Sequence, residues 1–415
     1  MNLCNIFKVN SDFILFRDYD HSPMYTYKTL NAIAPEGTDT LNEAGFKVDE
    51  NNFDALVLRS HKLSADEFSD NLKCIGRAGA GYNNIPVDEA TEKGIVVFNT
   101  PGANANAVKE LVVCGLLLAS RGIVQGSVFS SSLESPDDYA LNQSVEQAKK
   151  TFKGNEVQGK TLGIIGLGAI GSMVAQSAAS LGMKIIGYDP HISIDAAWRL
   201  PSDVEKASSI PALLKKSDYI SIHVPLIDET KNLIDSEAFM AMKTGTKLIN
   251  LSRGGIVNDE HALQALESGI LSAYVTDFPT KALIQRSQSN GDVILLPHLG
   301  ASTHEAEVNC AFMAANQIKD YLVNGNVTNS VNFPPITLEK STGNRILVIN
   351  RNEPGMIGQI ADKIAEEGFN IEDMSNKSRD SIAINLIDVD KPVDQSSVDA
   401  LSQIDHVLVV RSINH

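Results

Sequence analysis

The sequence predicts an α/β chain of two parallel-sheet layers followed by a small βαββαβ unit. Three observations carry this prediction. Short apolar runs such as 55–58 (ALVL) and 94–98 (GIVVF) alternate with helical patterns, the order of a parallel sheet with crossover helices. A glycine-rich turn, 166–171 (GLGAIG), follows the apolar run TLGII and opens a helical stretch, the context of a doubly wound, dinucleotide-binding sheet. After residue 343 the chain restarts with strand, helix, two strands, helix and strand, a ferredoxin-like plan.

Taken in order, a first α/β layer ends near Pro101. Residues 105–121 (ANAVKELVVCGLLLASR) are apolar on more than one face and contain no proline, which predicts a long buried helix joining two domains. Residues 126–138 are rich in serine and acidic residues and read as an exposed excursion. The second layer spans about Lys160 to His298, with six strand candidates: LGIIG, KIIGYD, YISIHV, KLINL, AYVTD and VILLP. A helix over 303–323 follows, and 326–343, with Pro334-Pro335, reads as a linker. The final unit has strands at 345–350, 370–388 (a pair) and 406–411, with helices at 356–367 and 397–403.

A chain of 415 residues implies two or three domains at roughly 150 residues each. With 43% hydrophobic and 21% charged residues it can bury a core. The net charge of −16 argues against nucleic acid as a partner, so an acidic ligand must be met by local Arg, Lys or backbone N–H groups. Cys4, Cys74, Cys114 and Cys310 are scattered, which predicts buried thiols rather than disulfides or a zinc site, and the nine histidines show no metal-ligand clustering. Charged residues interrupt the first twenty positions before any signal-peptide core forms, and no stretch suits a bilayer, so no membrane association and a cytoplasmic location are expected.

Within the glycine-rich turn, Gly166 permits the tight bend, Gly168 lets backbone approach a pyrophosphate, and Gly171 lets helix pack on strand. Ala169 and Ile170 complete the turn into the helix. Asp189 ends the next strand, where a carboxylate accepts from ribose hydroxyls and repels a 2′-phosphate, which favours NAD over NADP. Two further segments, 250–255 (NLSRGG) and 296–300 (LPHLG), place Arg253 and His298 at the C-terminal ends of core strands, where open α/β sheets bind ligands. Arg253 suits a forked grip on a carboxylate, and His298 suits proton exchange with a hydroxyl. Singly, each reads equally well as a surface ion-pair former or a structural imidazole. Their joint placement beside the dinucleotide turn favours catalysis.

The run GYNNIPVDEATEKGIVVFNTPGANANAVKEL, then GLGAIG, NLSRGGIVND and LLPHLGAST, resembles the D-isomer-specific 2-hydroxyacid dehydrogenases over roughly residues 24–333. The resemblance implies a flavodoxin-like substrate domain (1–104 plus 301–333), a Rossmann-type NAD domain (105–300), a linker (334–343) and an ACT-like regulatory domain (344–415). It implies that Arg253 binds the substrate carboxylate, that His298 is the acid/base, and that Asp277 contacts the nicotinamide carboxamide. His223, Pro225, Leu251, Ser252, Gly300 and Ala301 are implied cofactor neighbours. Arg77, Gly79 and Asn104 are implied to hold substrate from the opposite domain, and Arg59-Ser60 to meet a phosphate. The implied reaction is NAD-dependent oxidation of 3-phospho-D-glycerate to 3-phosphooxypyruvate. Competing readings are a reductase of glyoxylate, hydroxypyruvate or 2-oxoglutarate, and a non-catalytic NAD(H) sensor.

One departure is visible. The family pairs its His with a Glu shortly after an Asp-Val-Phe segment, whereas 274–282 reads YVTDFPTKA, with Lys281 or Ala282 at that position. Asp277 is the expected substitute, with Glu305 as the alternative carboxylate. In the C-terminal unit, Asn350, Asn352 and Asn370 resemble an L-serine effector site shared between two copies. A homodimer or homotetramer is expected, because a four-stranded sheet of this plan leaves edge strands to pair.

Overall fold

A computed structural model describes residues 25–134, 137–339, 341 and 343–414. Cys4, His21 and His415 lie outside the described residues.

The first sheet contains β1 (Thr26–Leu30), β2 (Lys47–Val48), β3 (Ala55–Leu58), β4 (Cys74–Arg77) and β5 (Val96–Phe98). Their spatial order is β2-β1-β3-β4-β5, and every pairing is parallel, the order of a flavodoxin-like sheet. Strand β3 is buried at all four positions, which explains its unbroken apolar run. Helices α1 (Pro35–Glu43) and α2 (Val87–Glu92) accompany these strands.

Helix α3 (Ala105–Ser120) leaves this layer and buries Val108, Val112, Leu116 and Ala119 in the core of the next. Cys114 lies on its outer face and is exposed, contrary to the buried thiol expected there; Cys74 and Cys310 are buried. The excursion is largely helical: α4 (Ile123–Ser131) and α5 (Asp138–Ala148) follow, neither with a buried residue. Serine side chains bonding back to carbonyls, as Ser131 does to Ser127, accommodate this serine-rich stretch in helix.

The second sheet has β6 (Thr161–Ile165), β7 (Lys184–Tyr188), β8 (Glu205–Lys206), β9 (Tyr219–Ile222), β10 (Thr246–Asn250), β11 (Leu271–Thr276) and β12 (Val293–Leu295). Seven strands replace the six expected. The addition, β8, is a two-residue polar edge with no apolar run to announce it. The order β12-β11-β10-β9-β6-β7-β8 reverses direction beside β6, and that switch point opens a crevice at the strands' C-terminal ends. Helices α6 (Ala169–Ser180), α7 (Ile194–Trp198), α8 (Ile210–Lys216), α9 (Ser236–Met240), α10 (Asp259–Glu267) and α11 (Lys281–Asn290) connect the strands. Helix α12 (His304–Asn324) then returns to the first sheet, sealing Ile318, Tyr321 and Leu322 against Tyr27, Val57 and Phe98.

The last unit runs β13 (Asn344–Arg351), α13 (Met356–Glu366), β14 (Ile371–Arg379), β15 (Ile382–Val389), α14 (Gln395–Ser402), β16 (Val407–Asn414). Its antiparallel sheet has the order β14-β15-β13-β16. One face, with Ile346, Val348 and Ile387, packs on the two helices. The other, with Leu347, Ile349, Ile384 and Leu386, joins the core of the first sheet. The connection between them is anchored rather than loose: Val327 and Ile336 exchange backbone hydrogen bonds of 2.8 and 3.0 Å, and Phe333 and Ile336 are buried.

Four arginines fasten this seam. Arg345, wholly buried, donates to both Asp388 carboxylate oxygens (2.5 and 2.9 Å) and to the Asn324 and Leu338 carbonyls (2.8 and 2.9 Å). Arg411 donates to the Leu322 carbonyl (3.0 Å) and lies over the Tyr321 ring. Arg351 pairs with Glu92, and Arg379 donates to the Ser330 and Val331 carbonyls.

Candidate active site

The two parallel sheets present their C-terminal ends to a common cleft. From the first sheet come Arg59 after β3, Arg77 at the end of β4, and Asn104 beyond β5. From the second come Gly166 after β6, Asp189 after β7, His223 after β9, Leu251–Arg253 after β10, Asp277 after β11 and His298 after β12.

On the cofactor side, Gly166 has φ +91°, and a Cβ there would lie 2.8 Å from the His223 carbonyl oxygen. A Cβ on Gly171 would lie 2.0 Å from the Gly166 oxygen, whereas one on Gly168 would meet open space. Two glycines therefore close the turn against the protein, and the third leaves the α6 N-terminus bare to an approaching anion. Helix α6 begins at Ala169, and Ile170 packs toward the core. The Asp189 carboxylate is fixed by the Leu167 and His191 N–H groups, both at 2.8 Å. These features fit a dinucleotide with free ribose hydroxyls.

His223 donates its backbone N–H to the Ile165 carbonyl (2.7 Å), and its Nε2 is 2.9 Å from Ser221 Oγ. Burial pushes its imidazole down to about 4, so the ring is neutral at pH 7. The Ser252 hydroxyl donates to the Val224 carbonyl next to Pro225, and the Asn250 amide braces the turn through the Arg253 carbonyl (3.0 Å) and the Ser252 N–H (3.2 Å).

That turn projects Arg253 across the cleft. Its Nη1 donates to the Ser252 carbonyl (2.7 Å), while Nη2 lies so close to Gly81 that a Cβ there would come within 2.9 Å. His298 has φ +51°, a conformation few non-glycine residues adopt. It is held by its N–H to the Asp277 carbonyl (3.1 Å) and by the edge of the Phe278 ring, 5.1 Å between centroids. The imidazole separates two cavities.

The cavity toward the first sheet, about 370 Å³, is lined by Arg59, Arg77, Gly79, Asn104, His298, Ala301 and Glu307, among others. Arg77 donates Nη1 to the Ala78 carbonyl (3.2 Å), and its Nε is buried without a partner. Burial, followed by the charges of Arg253 and Arg59, lowers its pKa. Gly79 has φ +148°, and a Cβ there would displace this guanidinium. Asn104 caps α3 without using its side chain, which leaves the amide for the cavity.

Ser60 is not brought to this lining. Asn31 Oδ1 holds the Ser60 and His61 N–H groups, and the His61 ring pairs with Glu67 (2.9 Å), away from the arginines.

The cavity behind His298, about 340 Å³, is lined by Asn250, Asp259, Tyr274, Asp277 and Thr280, among others. Asp277 is buried, with one carboxylate oxygen accepting from the Gly300 N–H (3.0 Å) and the other unpartnered. Burial raises its pKa, an effect that the Gly300 N–H and the nearby His298 and Arg253 offset only in part. Among the described residues no hydrogen bond joins the Asp277 carboxylate to the His298 ring. Lys281 begins α11 and is exposed.

Glu305 is not part of either lining; Glu307, two residues and about half a turn further along α12, reaches the first cavity instead. Two carboxylates escaped the sequence reading. Glu307 was two positions from the residue singled out, and the helical period decides between them. Asp259, half-buried at the start of α10 with a raised pKa, lies 39 positions from His298 and carries no motif.

The C-terminal asparagines are not gathered within one chain. Asn350 is buried, its amide committed to Asn385 (2.8 Å) and the Arg351 carbonyl (2.6 Å). Asn352 donates to the Asp380 carbonyl, and Asn370 pairs with Glu372 and Asp390 at the opposite end of the sheet.

Residues 130–300 match the family model described as D-isomer specific 2-hydroxyacid dehydrogenase, NAD binding domain. The D-3-phosphoglycerate dehydrogenase of Haemophilus influenzae is 31% identical over 99% of each chain. That of Methanocaldococcus jannaschii is 40% identical over 69% of this chain, which spans about half (53%) of that relative's length. The solved NAD+-bound 3-phosphoglycerate dehydrogenase of Entamoeba histolytica is similar with a TM-score of 0.59 and 27% identity, over 74% of this chain and 98% of that one. The dinucleotide turn, the Arg253 and His298 loops and these matches together make the chain a member of the D-isomer specific 2-hydroxyacid dehydrogenase family, carrying that family's NAD-binding domain.

Proposed function

We propose that this chain is a D-3-phosphoglycerate dehydrogenase, oxidising the C2 hydroxyl of 3-phospho-D-glycerate to give 3-phosphooxypyruvate, the entry into L-serine synthesis. One observation carries the reading: Arg59 and Arg77 line a cavity with His298, in which Glu307 is the one carboxylate among the described lining residues, and Arg253 stands beside that lining, near enough for its charge to act on Arg77, in a chain whose net charge is −16. Such a local reversal of charge suits a small polyanion with a carboxylate at one end and a phosphoryl group at the other.

NAD, when bound, supplies a hydride acceptor. Gly166, Gly168 and Gly171 make the turn that would hold its pyrophosphate, with Asp189 at the ribose. Arg253 grips and orients the substrate carboxylate, and His298 takes the hydroxyl proton. Arg77, Asn104 and Arg59 position the remainder from the first sheet. Asp277 acts as a positioning carboxylate behind His298, favouring its protonated form once the proton has arrived.

The substrate-binding unit comprises 1–104 with 301–333, of which 1–24 lie outside the described residues, and the NAD-binding unit 105–300. Residues 334–343 connect to 344–415, which we read as an ACT domain on the strength of its βαββαβ order. L-serine would bind between two copies through Asn352 and Asn370; the commitment of Asn350 to its own sheet makes it a support rather than a ligand. Exposed Val124, Val128 and Tyr139 on α4 and α5 suit a homodimer or homotetramer.

The test is to follow NAD reduction with 3-phospho-D-glycerate while trapping the oxo product, with and without L-serine. Turnover supports the substrate, and its suppression by serine supports the effector site. Reduction of only unphosphorylated 2-oxo acids overturns the substrate, and cofactor binding without hydride transfer overturns the enzyme reading.

A further inference from the structure

The cavity that meets the substrate already holds an anion of its own. Glu307, in the first turn of α12, reaches into the lining shared by Arg59, Arg77, Asn104 and His298. Its Oε1 is 2.7 Å from Arg59 Nη1. The side chains of the pair are 37% and 44% exposed, so the contact faces solvent through the cavity mouth and is readily broken. The three guanidiniums are therefore not equivalent. Among the described residues, Arg77 and Arg253 donate only to backbone carbonyls, whereas Arg59 is occupied by a carboxylate.

A carboxylate on a guanidinium presents two oxygens much as a phosphoryl group does, with the same fork geometry. A phosphoryl group carries nearly twice the charge at neutral pH. It therefore competes for Arg59 on favourable terms and repels Glu307 as it arrives, whereas a ligand with no anion at that end leaves the pair intact.

We infer that Glu307 is a specificity-determining residue, a built-in competitor that keeps Arg59 paired until a doubly charged group displaces it. This rests on the reading of the cavity as the site of a phosphorylated 2-hydroxy acid. Its consequence is that Arg59 is screened from weak or singly charged ligands.

The test measures inorganic phosphate as a competitive inhibitor in the wild type, Glu307→Gln, Arg59→Gln and the double variant, against whichever 2-hydroxy or 2-oxo acid the enzyme turns over. Glu307→Gln is expected to tighten phosphate inhibition by about five-fold, the scale of one half-exposed ion pair, with Glu307→Ala of the same sign. In the Arg59→Gln background the same substitution is expected to do nothing, because the competitor then has nothing to occupy. Equal tightening in both backgrounds overturns the inference, since it reports only general repulsion. Unchanged or weakened inhibition also overturns it. A wild type that ignores 3-phospho-D-glycerate while reducing an unphosphorylated acid overturns the substrate proposal instead, and phosphate inhibition measured with that acid still decides Glu307.

Discussion

The arginines of the cleft and those of the seam are the same residue put to opposite uses. In the seam, Arg345 gives its donors to a buried carboxylate and two carbonyls; Arg411, enclosed by a carbonyl and an aromatic face, is the intermediate case, with Nη2 bonded and Nη1 buried without a partner. In the cleft, Arg253 is exposed and spends one donor on its neighbour's carbonyl, and Arg77 keeps a buried N–H unpartnered. A guanidinium with its donors consumed fixes one arrangement of chain. One with donors in reserve is an unfinished site that a ligand completes.

The comparison predicts that cleft substitutions remove activity and spare stability, while seam substitutions do the reverse. The largest effects belong to the reacting pair. His298→Asn lowers kcat by about 10²- to 10⁴-fold, and Arg253→Ala lowers kcat/KM by a similar factor, both with an unchanged Tm. Steady-state kinetics with thermal unfolding checks this, and a lost fold rather than lost turnover breaks the contrast.

Next come the seam variants. Arg345→Met strands the Asp388 carboxylate and costs about 3–5 kcal/mol, read as earlier denaturant unfolding of enzyme whose KM for NAD is unaltered. The pH dependence has a defined sign. Burial alone would raise the Asp388 carboxyl, but the Arg345 guanidinium and the Ser341 donors outweigh it and hold it below the usual range. The pair's stabilisation is present above the unfolded carboxylate value of about 4 and is lost as pH falls through the lower folded value. Acid should therefore loosen the wild-type seam, whereas in Arg345→Met it should neutralise the stranded Asp388 carboxylate and narrow the stability gap to wild type.

A smaller effect is expected at the ribose position. Asp189→Ser raises the KM for NAD by about ten-fold, one charge-assisted hydrogen bond's worth, and narrows the preference over NADP.

The smallest change is at Asp277, whose pKa is raised by burial. A carboxyl with a raised folded value is most stabilising below its unfolded value, and that contribution is lost as pH rises through the folded one. Asp277→Asn therefore raises Tm at neutral and alkaline pH. It alters kcat by less than about ten-fold and moves the acid limb of the kcat/KM profile to lower pH. An unchanged profile would leave His298 working without this partner.

What could be read from the sequence follows the same division. The glycine turn, Asp189, Arg253 and His298 each sit within a few residues of a strand end, so local spacing announces them. Arg345 and Arg411 sit beside the apolar runs ILVI and VLVV of their strands, and nothing local reveals that their partners are Asp388 and Leu322. Glu307 and Asp259 depend on helix phase and on a distant loop. Strand β8 and the helical excursion of α4 and α5 were hidden because short polar strands and serine-rich helices carry no hydrophobic period.

The proposed grip of the cleft on both ends of its substrate is tested most directly by the ratio of kcat/KM for 3-phospho-D-glycerate to that for D-glycerate, with NAD and a product trap, in the wild type and Arg59→Gln. A fall of about 10- to 100-fold in that ratio is the predicted result. Equal losses for both acids, or a wild type that prefers D-glycerate, would contradict it.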